Sequence, residues 1–291
     1  MSLTSMQTQL ARELSQNCLV PSQAAWQQLS GGRTNTCWRI KNQEIDVVCK
    51  LFQKGQNNPL FPNSPSDEFS VLKLLERANL SPDPVAYQET TFGTCVLYCF
   101  LDGDAISGVD AGEVGKTLAQ LHNTPIPVRT HLRKLSLSPN GVSLHGVKIL
   151  DVCSFRTAQT HQKLMPVLPN LPAATPVLLH GDLVPANIIR TKISVRFIDW
   201  QCPALGDPCE DIATYLSPAM QYLYADEPLD EHQEAEFLRS YGNKEVIERY
   251  HILKPLYHWR MAAYCLWKAE DGVEDYAQGY ALEMMALNRL V

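Results

Sequence analysis

A chain of 291 residues, 45% hydrophobic and 19% charged, is long enough to bury a substantial core as one large unit or two lobes, which excludes wholesale disorder and a miniature cross-linked scaffold. Its net charge of −6 and the lack of any basic run speak against duplex nucleic acid and anionic membranes as partners. The acid excess is local: residues 1–101 sum to 0, 102–198 to +4 and 199–291 to −10.

From Met6 to Gln16, Leu10 and Leu14 fall at helical spacing and predict an N-terminal helix. A small-residue turn, Leu29 to Asn35 with Gly31-Gly32, leads into a hairpin whose strands are Cys37 to Lys41 and Ile45 to Phe52. Lys54 to Asp67, rich in Asn, Pro and Gly, reads as a surface loop, and Glu68 to Asn79 as a helix with Val71, Leu72 and Leu75 on one face. Gly93 to Leu101 is an apolar strand, and the turn residues Asp102-Gly103-Asp104 after it mark a lobe boundary, giving units 1–101 and 102–291. Asp110 is expected to cap a helix carrying Val114, Leu118 and Leu121, with His122 as a packed residue at its end. Short strands follow at Val177 to His180, Asn187 to Arg190 and Val195 to Asp199, and Pro208 to Leu290 reads as helices. The order predicts an α+β, two-lobed fold, a mainly β lobe followed by a larger helical one.

Nine cysteines, an odd number, show no C-x-x-C spacing; Cys95 with Cys99 and Cys202 with Cys209 are the nearest pairs. With neither a leader nor a long apolar stretch, the expectation is reduced thiols in a cytoplasmic protein.

The strongest chemical signal is His180-Gly181-Asp182 followed by Asn187, with Asp199 at the next strand end. In phosphoryl transfer an H-x-D-x-x-x-x-N loop supplies a base that faces the attacking hydroxyl and an amide that turns back toward a metal held by a downstream carboxylate. Upstream, Val47-Val48-Cys49-Lys50 places a lysine in an apolar strand, as phosphate-gripping lysines are placed, and a buried ammonium needs a carboxylate, for which Glu68 is the candidate. The turn at Ser30, Gly31 and Gly32 precedes the first strand, as a phosphate-covering loop does, but without G-x-G-x-x-G. Asp207 reads as a helix cap, and Asp211 as a first-turn acid or, alternatively, a brace for the catalytic loop.

Leu29-Ser30-Gly31-Gly32-x-Thr34-Asn35, Lys50, Glu68-x-x-Val71-Leu72, Leu118-Ala119-x-Leu121-His122, the His180 to Asn187 loop, Ile198-Asp199-Trp200 and Gly206-Asp207-Pro208-x-x-Asp211 together resemble the aminoglycoside phosphotransferase and choline kinase superfamily. The resemblance spans nearly the whole chain and looks most like choline- or thiamine-kinase-type members, although Gln201 stands where many of these have glutamate. It implies a two-lobed protein-kinase-like fold, with residues 1–101 as nucleotide-binding lobe and 102–291 carrying the catalytic loop and acceptor site. It further implies ATP in the cleft near Ser30, Gly31 and Gly32, the Lys50–Glu68 pair, main-chain adenine contacts near Tyr98 and Phe100, Asp182 as base, and Asn187 and Asp199 as Mg²⁺ ligands. Glycine before Asp182, where protein kinases have arginine, and the lack of an A-P-E motif after Asp199 favour a small-molecule hydroxyl acceptor over a protein, with no obligate protein partner, nucleic acid or membrane implied.

Acid runs at Asp226 to Glu236 and Glu270 to Asp275, near Tyr257, Trp259, Tyr264 and Trp267, suggest a cationic acceptor such as choline, thiamine or an aminoglycoside. Core packing of the aromatics and solvation of the acids is the alternative reading. A catalytically silent kinase-like binding protein is a further alternative, against which stands the presence of Lys50, Asp182, Asn187 and Asp199 together.

Overall fold

The computed structural model describes residues 3–29, 34–53, 58–105, 110–225 and 227–290; Ser30, Gly31 and Gly32 lie outside them. In chain order come α1 (Leu3–Gln16), β1 (Ala25–Gln28), β2 (Thr36–Lys41), β3 (Asp46–Phe52), α2 (Pro65–Leu74), β4 (Pro84–Thr90) and β5 (Gly93–Cys99). The chain continues through β6 (Gly103–Ala105), α3 (Ala111–His122), β7 (Arg133–Lys134), α4 (Pro139–Leu150), α5 (Phe155–Gln162), β8 (Val177–Leu179), β9 (Ile188–Thr191), β10 (Val195–Phe197) and β11 (Ala204–Gly206). It ends in α6 (Cys209–Tyr215), α7 (Pro218–Ala225), α8 (Glu231–Tyr241), α9 (Lys244–Glu270) and α10 (Asp275–Asn288).

The first part is an antiparallel sheet of order β1-β2-β3-β5-β4, and the rest is chiefly helical, as the α+β expectation has it. β3 reads as continuously apolar because both faces of the sheet are covered. Alternate residues Val47, Cys49 and Leu51 pack with Leu10 and Leu14 of α1, whereas Val48 and Phe52 join Val71, Leu72 and Leu75 around α2. The period of two therefore puts Lys50 on the α2 side. The same core runs on through Leu118 and Leu121 of α3, Ile212 and Tyr215 of α6 and Phe237 of α8, so apolar burial holds the sheet against the helices. Among the described residues no helix is long and apolar enough to cross a membrane.

Four elements differ from their sequence readings. α2 begins at Pro65, because Ser64 caps it by accepting from the Asp67 N–H and proline favours the first position; it ends at Leu74, with Arg77 and Asn79 at positive φ (67° and 59°) in the turn that follows. The segment after Asn58 is no surface loop: Asn58 Oδ1 accepts from the N–H groups of Leu60 and Phe61, and that turn buries both side chains against the core around Trp259 and Tyr264. Asp102 to Asp104 is no bare turn either, since β6 pairs with β9. Asp110 holds the cap position of α3 without a capping bond, its carboxylate paired instead with Arg190.

Candidate active site

β3 places Lys50 opposite Cys37 of β2 and Val96 of β5, with its side chain 2% exposed. Its ammonium donates to Glu68 Oε2 at 2.5 Å and to Asp199 Oδ1. Burial opposes its charge, but Asp199 and then Glu68 outweigh it and hold the Lys50 pKa above its ordinary value. Glu68, fully buried in the first turn of α2, is driven upward by burial, only partly offset by Lys50, and its Oε1 has no hydrogen-bond partner.

The loop from His180 to Asn187 links β8 to β9 and is held at three points. His180 is fully buried and burial lowers its pKa. Its Nε2–H donates to the Ile198 carbonyl at 2.9 Å, because a carbonyl only accepts, and this leaves Nδ1 to accept from the Asp182 N–H at 3.3 Å. Asp211 of α6 accepts from the N–H groups of His180 and Gly181, each at 2.8 Å, and its Oδ2 meets His122 Nε2 at 3.2 Å, with Tyr241 behind the histidine. Burial raises the Asp211 pKa, but His122 and the amide donors more than reverse it. Asp211 is thus a brace for the loop rather than a simple first-turn acid. Asp207 accepts from the Cys209 N–H at 3.0 Å, as a cap does, and also pairs with Arg249 at 2.7 Å.

Gly181 stands at φ 81°, and a Cβ there would lie 2.1 Å from the Cys202 carbonyl oxygen, so the residue where protein kinases have arginine accepts no side chain. The third point is Asn187, which donates from Nδ2 to the Asp182 carbonyl at 2.9 Å while its own carbonyl accepts from the Ile198 N–H at 2.9 Å. One residue later Asp199 adopts φ 62°, a left-handed turn rare for a residue with a side chain.

Asp182, Asn187, Asp199 and Lys50 line one cavity of about 130 Å³ together with Cys37, Asn35, Gln201, Phe61, Tyr264 and Lys268. Burial, reinforced by the negative Asp199, pushes the Asp182 carboxyl up to about 8, against the opposing pull of Lys50 and the Asn187 and Gln201 amides. Burial likewise pushes the Cys37 thiol up to about 12.

Sequence reasoning missed an amide network on this cavity. Asn35 Nδ2 donates to Gln201 Oε1 at 2.8 Å and to Asn63 Oδ1 at 2.9 Å, and Asn63 returns a bond to Asn35 Oδ1 at 2.8 Å. Asn35 closes the small-residue turn and Gln201 departs from the family's glutamate, so both carried a signal; Asn63 carried none.

Other expected residues lie apart. Tyr98 is buried in the core, and the N–H groups of Cys99 and Phe100 are donated to the Asp83 and Asp46 carbonyls at 2.9 and 3.0 Å, so an adenine contact there rests on other groups of the segment. Tyr257 and Trp259 are core residues, the latter stacked on His161 with ring centroids 5.5 Å apart. Glu270 holds the start of α5 through Ser154, and Glu234 pairs with Lys254. Asp226 lies outside the described residues; no described residue of either acid run lines the cavity.

The sequence model described as the phosphotransferase enzyme family matches residues 25–256. The chain belongs to that family. A LicA homolog protein of Metamycoplasma hominis is 24% identical over 212 residues, 66% of this chain and 78% of that protein. The fold is similar to that of an ethanolamine kinase from Plasmodium vivax, with a TM-score of 0.67 at 15% identity over 100% of this chain and 91% of that one. It is also similar to that of a spectinomycin phosphotransferase solved with ADP and spectinomycin, with a TM-score of 0.59 at 17% identity over 95% and 93% of the chains. The protein-kinase-like fold of this phosphotransferase family accounts for a β-rich part followed by a helical part, with the His180 to Asn187 loop facing the strand that carries Lys50.

Proposed function

We propose that this phosphotransferase moves the γ-phosphoryl group of ATP to a hydroxyl of a small molecule held beside Asp182. The observation that carries the reading is Lys50, whose ammonium touches both Glu68 and Asp199 in the cavity that Asp182 and Asn187 share. Lys50 holds phosphate oxygens, Glu68 fixes its direction, and the segment that includes Ser30, Gly31 and Gly32 covers the phosphates, with the adenine near Tyr98 to Phe100. Asp182 orients the acceptor hydroxyl and takes its proton; a carboxyl raised to about 8 is basic enough for the task.

Asn187 and Asp199 fit Mg²⁺. They offer oxygen donors of the hard kind, Asn187 is fixed through its Nδ2 so that Oδ1 stays available, and the bond from Lys50 goes to only one of the Asp199 oxygens. When bound, Mg²⁺ supplies neutralisation of the phosphate charge. The presence of all four groups in one cavity favours turnover over silent binding. The nine free thiols suit a reducing compartment such as the cytoplasm. Tyr264 gives the cavity an aromatic wall of the kind cation–π recognition uses, but the charged side chain beside it is Lys268.

Release of ADP that depends on both Mg²⁺ and an alcohol tests the reading. Asp182→Asn is expected to bind Mg-ATP as the wild type does and to lose roughly 10²–10⁴-fold in kcat. Unchanged turnover in that variant excludes Asp182 as the base.

A further inference from the structure

The charge on the acceptor end of the cavity bears on what the phosphotransferase phosphorylates, and the inference rests on the phosphotransfer reading above. Lys268, in the last turn of α9, lines the cavity with Asp182 and Asp199. Its side chain is 20% exposed, and its ammonium lies 4.8 Å from the centroid of the Trp267 ring. The carboxylate with which it pairs, Asp271, stands 3.9 Å away and is itself more open to water. A contact of that length contributes little, so a half-buried lysine lines the cavity without a close anion.

Beside it the wall is aromatic. Tyr264 packs with its ring centroid 5.1 Å from Phe61 and 5.6 Å from Trp267, and its hydroxyl accepts from the Asn58 amide at 3.1 Å. The carboxylates on the cavity wall, among the described residues, are Asp182 and Asp199. Asp199 is engaged by Lys50, and Asp182 is assigned to the reacting hydroxyl. Among the described residues no further carboxylate lines the cavity to neutralise a cationic acceptor, while Lys268 is placed to repel one.

We propose that the acceptor is a small alcohol bearing an anionic group, a hydroxy acid, and that Lys268 is the residue that selects it. The carboxylate of the acceptor lies against Lys268 and its carbon chain against Tyr264, which leaves the hydroxyl toward Asp182. In the transfer the hydroxyl oxygen forms the new bond to the γ-phosphorus as its proton passes to Asp182. The bond from that phosphorus to the β–γ bridging oxygen breaks, and ADP departs with the electron pair.

The experiment measures ADP release by the full chain with Mg-ATP and glycerate, 4-hydroxybutyrate, glycerol 3-phosphate, glycerol, ethanolamine or choline. Wild-type kcat/KM is expected to favour a hydroxy acid over glycerol, ethanolamine and choline by about tenfold or more, with glycerol 3-phosphate reporting whether a phosphate replaces the carboxylate. Lys268→Glu is expected to invert the order of hydroxy acid and choline while leaving KM for ATP within about twofold. Calorimetry with the same compounds and the Mg-AMPPNP-bound enzyme measures affinity without turnover. Preference of the wild type for choline or ethanolamine in either assay overturns the assignment, as does a Lys268→Glu variant with a raised KM for ATP and an unchanged acceptor order. ADP release with choline preferred over the hydroxy acids would sink the acceptor assignment and leave phosphotransfer standing; absence of both ADP release and Mg-AMPPNP binding would sink the phosphotransfer reading itself.

Discussion

Lys50 and Glu68 show how one buried pair divides its work between stability and function. Glu68 is fully buried, and one of its oxygens has no partner. Neutralising it therefore removes a desolvation penalty as well as an attraction, and the two effects oppose each other. Glu68→Gln is expected to shift the melting temperature by only a few degrees in either direction, roughly within 1 kcal/mol. KM for ATP should rise about tenfold, since Lys50 keeps only a neutral acceptor where it had one of the two anions that aim it. A melting curve alongside ATP saturation kinetics checks both halves. The sequence disclosed this pair because a lysine in an apolar strand demands a carboxylate nearby. It did not disclose the Asn35–Gln201–Asn63 network, since amides are common in loops and only their meeting in space gives them meaning. Gln201→Glu keeps an acceptor for Asn35 but sets a second carboxylate facing Asp182, in place of an amide that favours its charged form. The acid limb of the kcat/KM profile should then move up by about one pH unit. An unmoved limb would show that Gln201 acts only through packing.

At the scale of elements, legibility followed burial. β3, covered on both faces, and α3, with its apolar stripe, stood out in the sequence, whereas β1, with residues Ala25 to Gln28 mostly exposed and polar, gave no alternation to read. The loop from His180 to Asn187 was legible through its spacing, and Asp211 was readable as its brace or as a plain first-turn acid, but the support from His122 of α3 was not, because a histidine at a helix end reads equally as packing. Two substitutions separate these supports. Gly181→Ala forces a Cβ to 2.1 Å from the Cys202 carbonyl at a positive φ, so the loop must move. A loss of about 1–3 kcal/mol in unfolding free energy together with a large fall in kcat is expected. Asp211→Asn leaves the backbone free to stay in place but offers one acceptor oxygen to two amide donors. It should lower kcat about tenfold or more with ATP affinity little changed, as befits a positioning residue. Equal losses in ATP affinity and turnover would mean instead that the nucleotide site is built on the same brace.

For the whole molecule, the net charge of −6 hides a cleft in which Asp182, Asp199 and Glu68 crowd around Lys50, apart from the acid runs in the last third of the sequence, whose described residues do not line the cavity. Such a cleft serves its ligands at the expense of the empty fold, and the sign of the effect follows from linkage. Asp182 has its pKa raised from 3.8 to about 8 in the folded chain, so the folded state binds this proton more tightly than the unfolded one. The stabilisation is complete below pH 3.8 and is lost as pH climbs toward 8, because over that window the unfolded chain ionises freely and the folded chain does not. Burial moves Glu68 in the same direction, so the two carboxyls add. General repulsion among the acids also grows with pH, and the diagnostic is therefore a comparison with Asp182→Asn, which lacks the titrating group but keeps the rest of the charge. Without Mg²⁺ or nucleotide, the melting temperature of the wild type should fall more steeply than that of the variant between pH 5 and pH 8, and the variant should be the more stable at the upper end. Saturating Mg-ATP should flatten the wild-type curve, since positive charge delivered beside Asp182 favours its ionised form. Parallel curves for the two proteins would mean that Asp182 is already ionised in the empty cleft, with Lys50 and the facing amides outweighing burial.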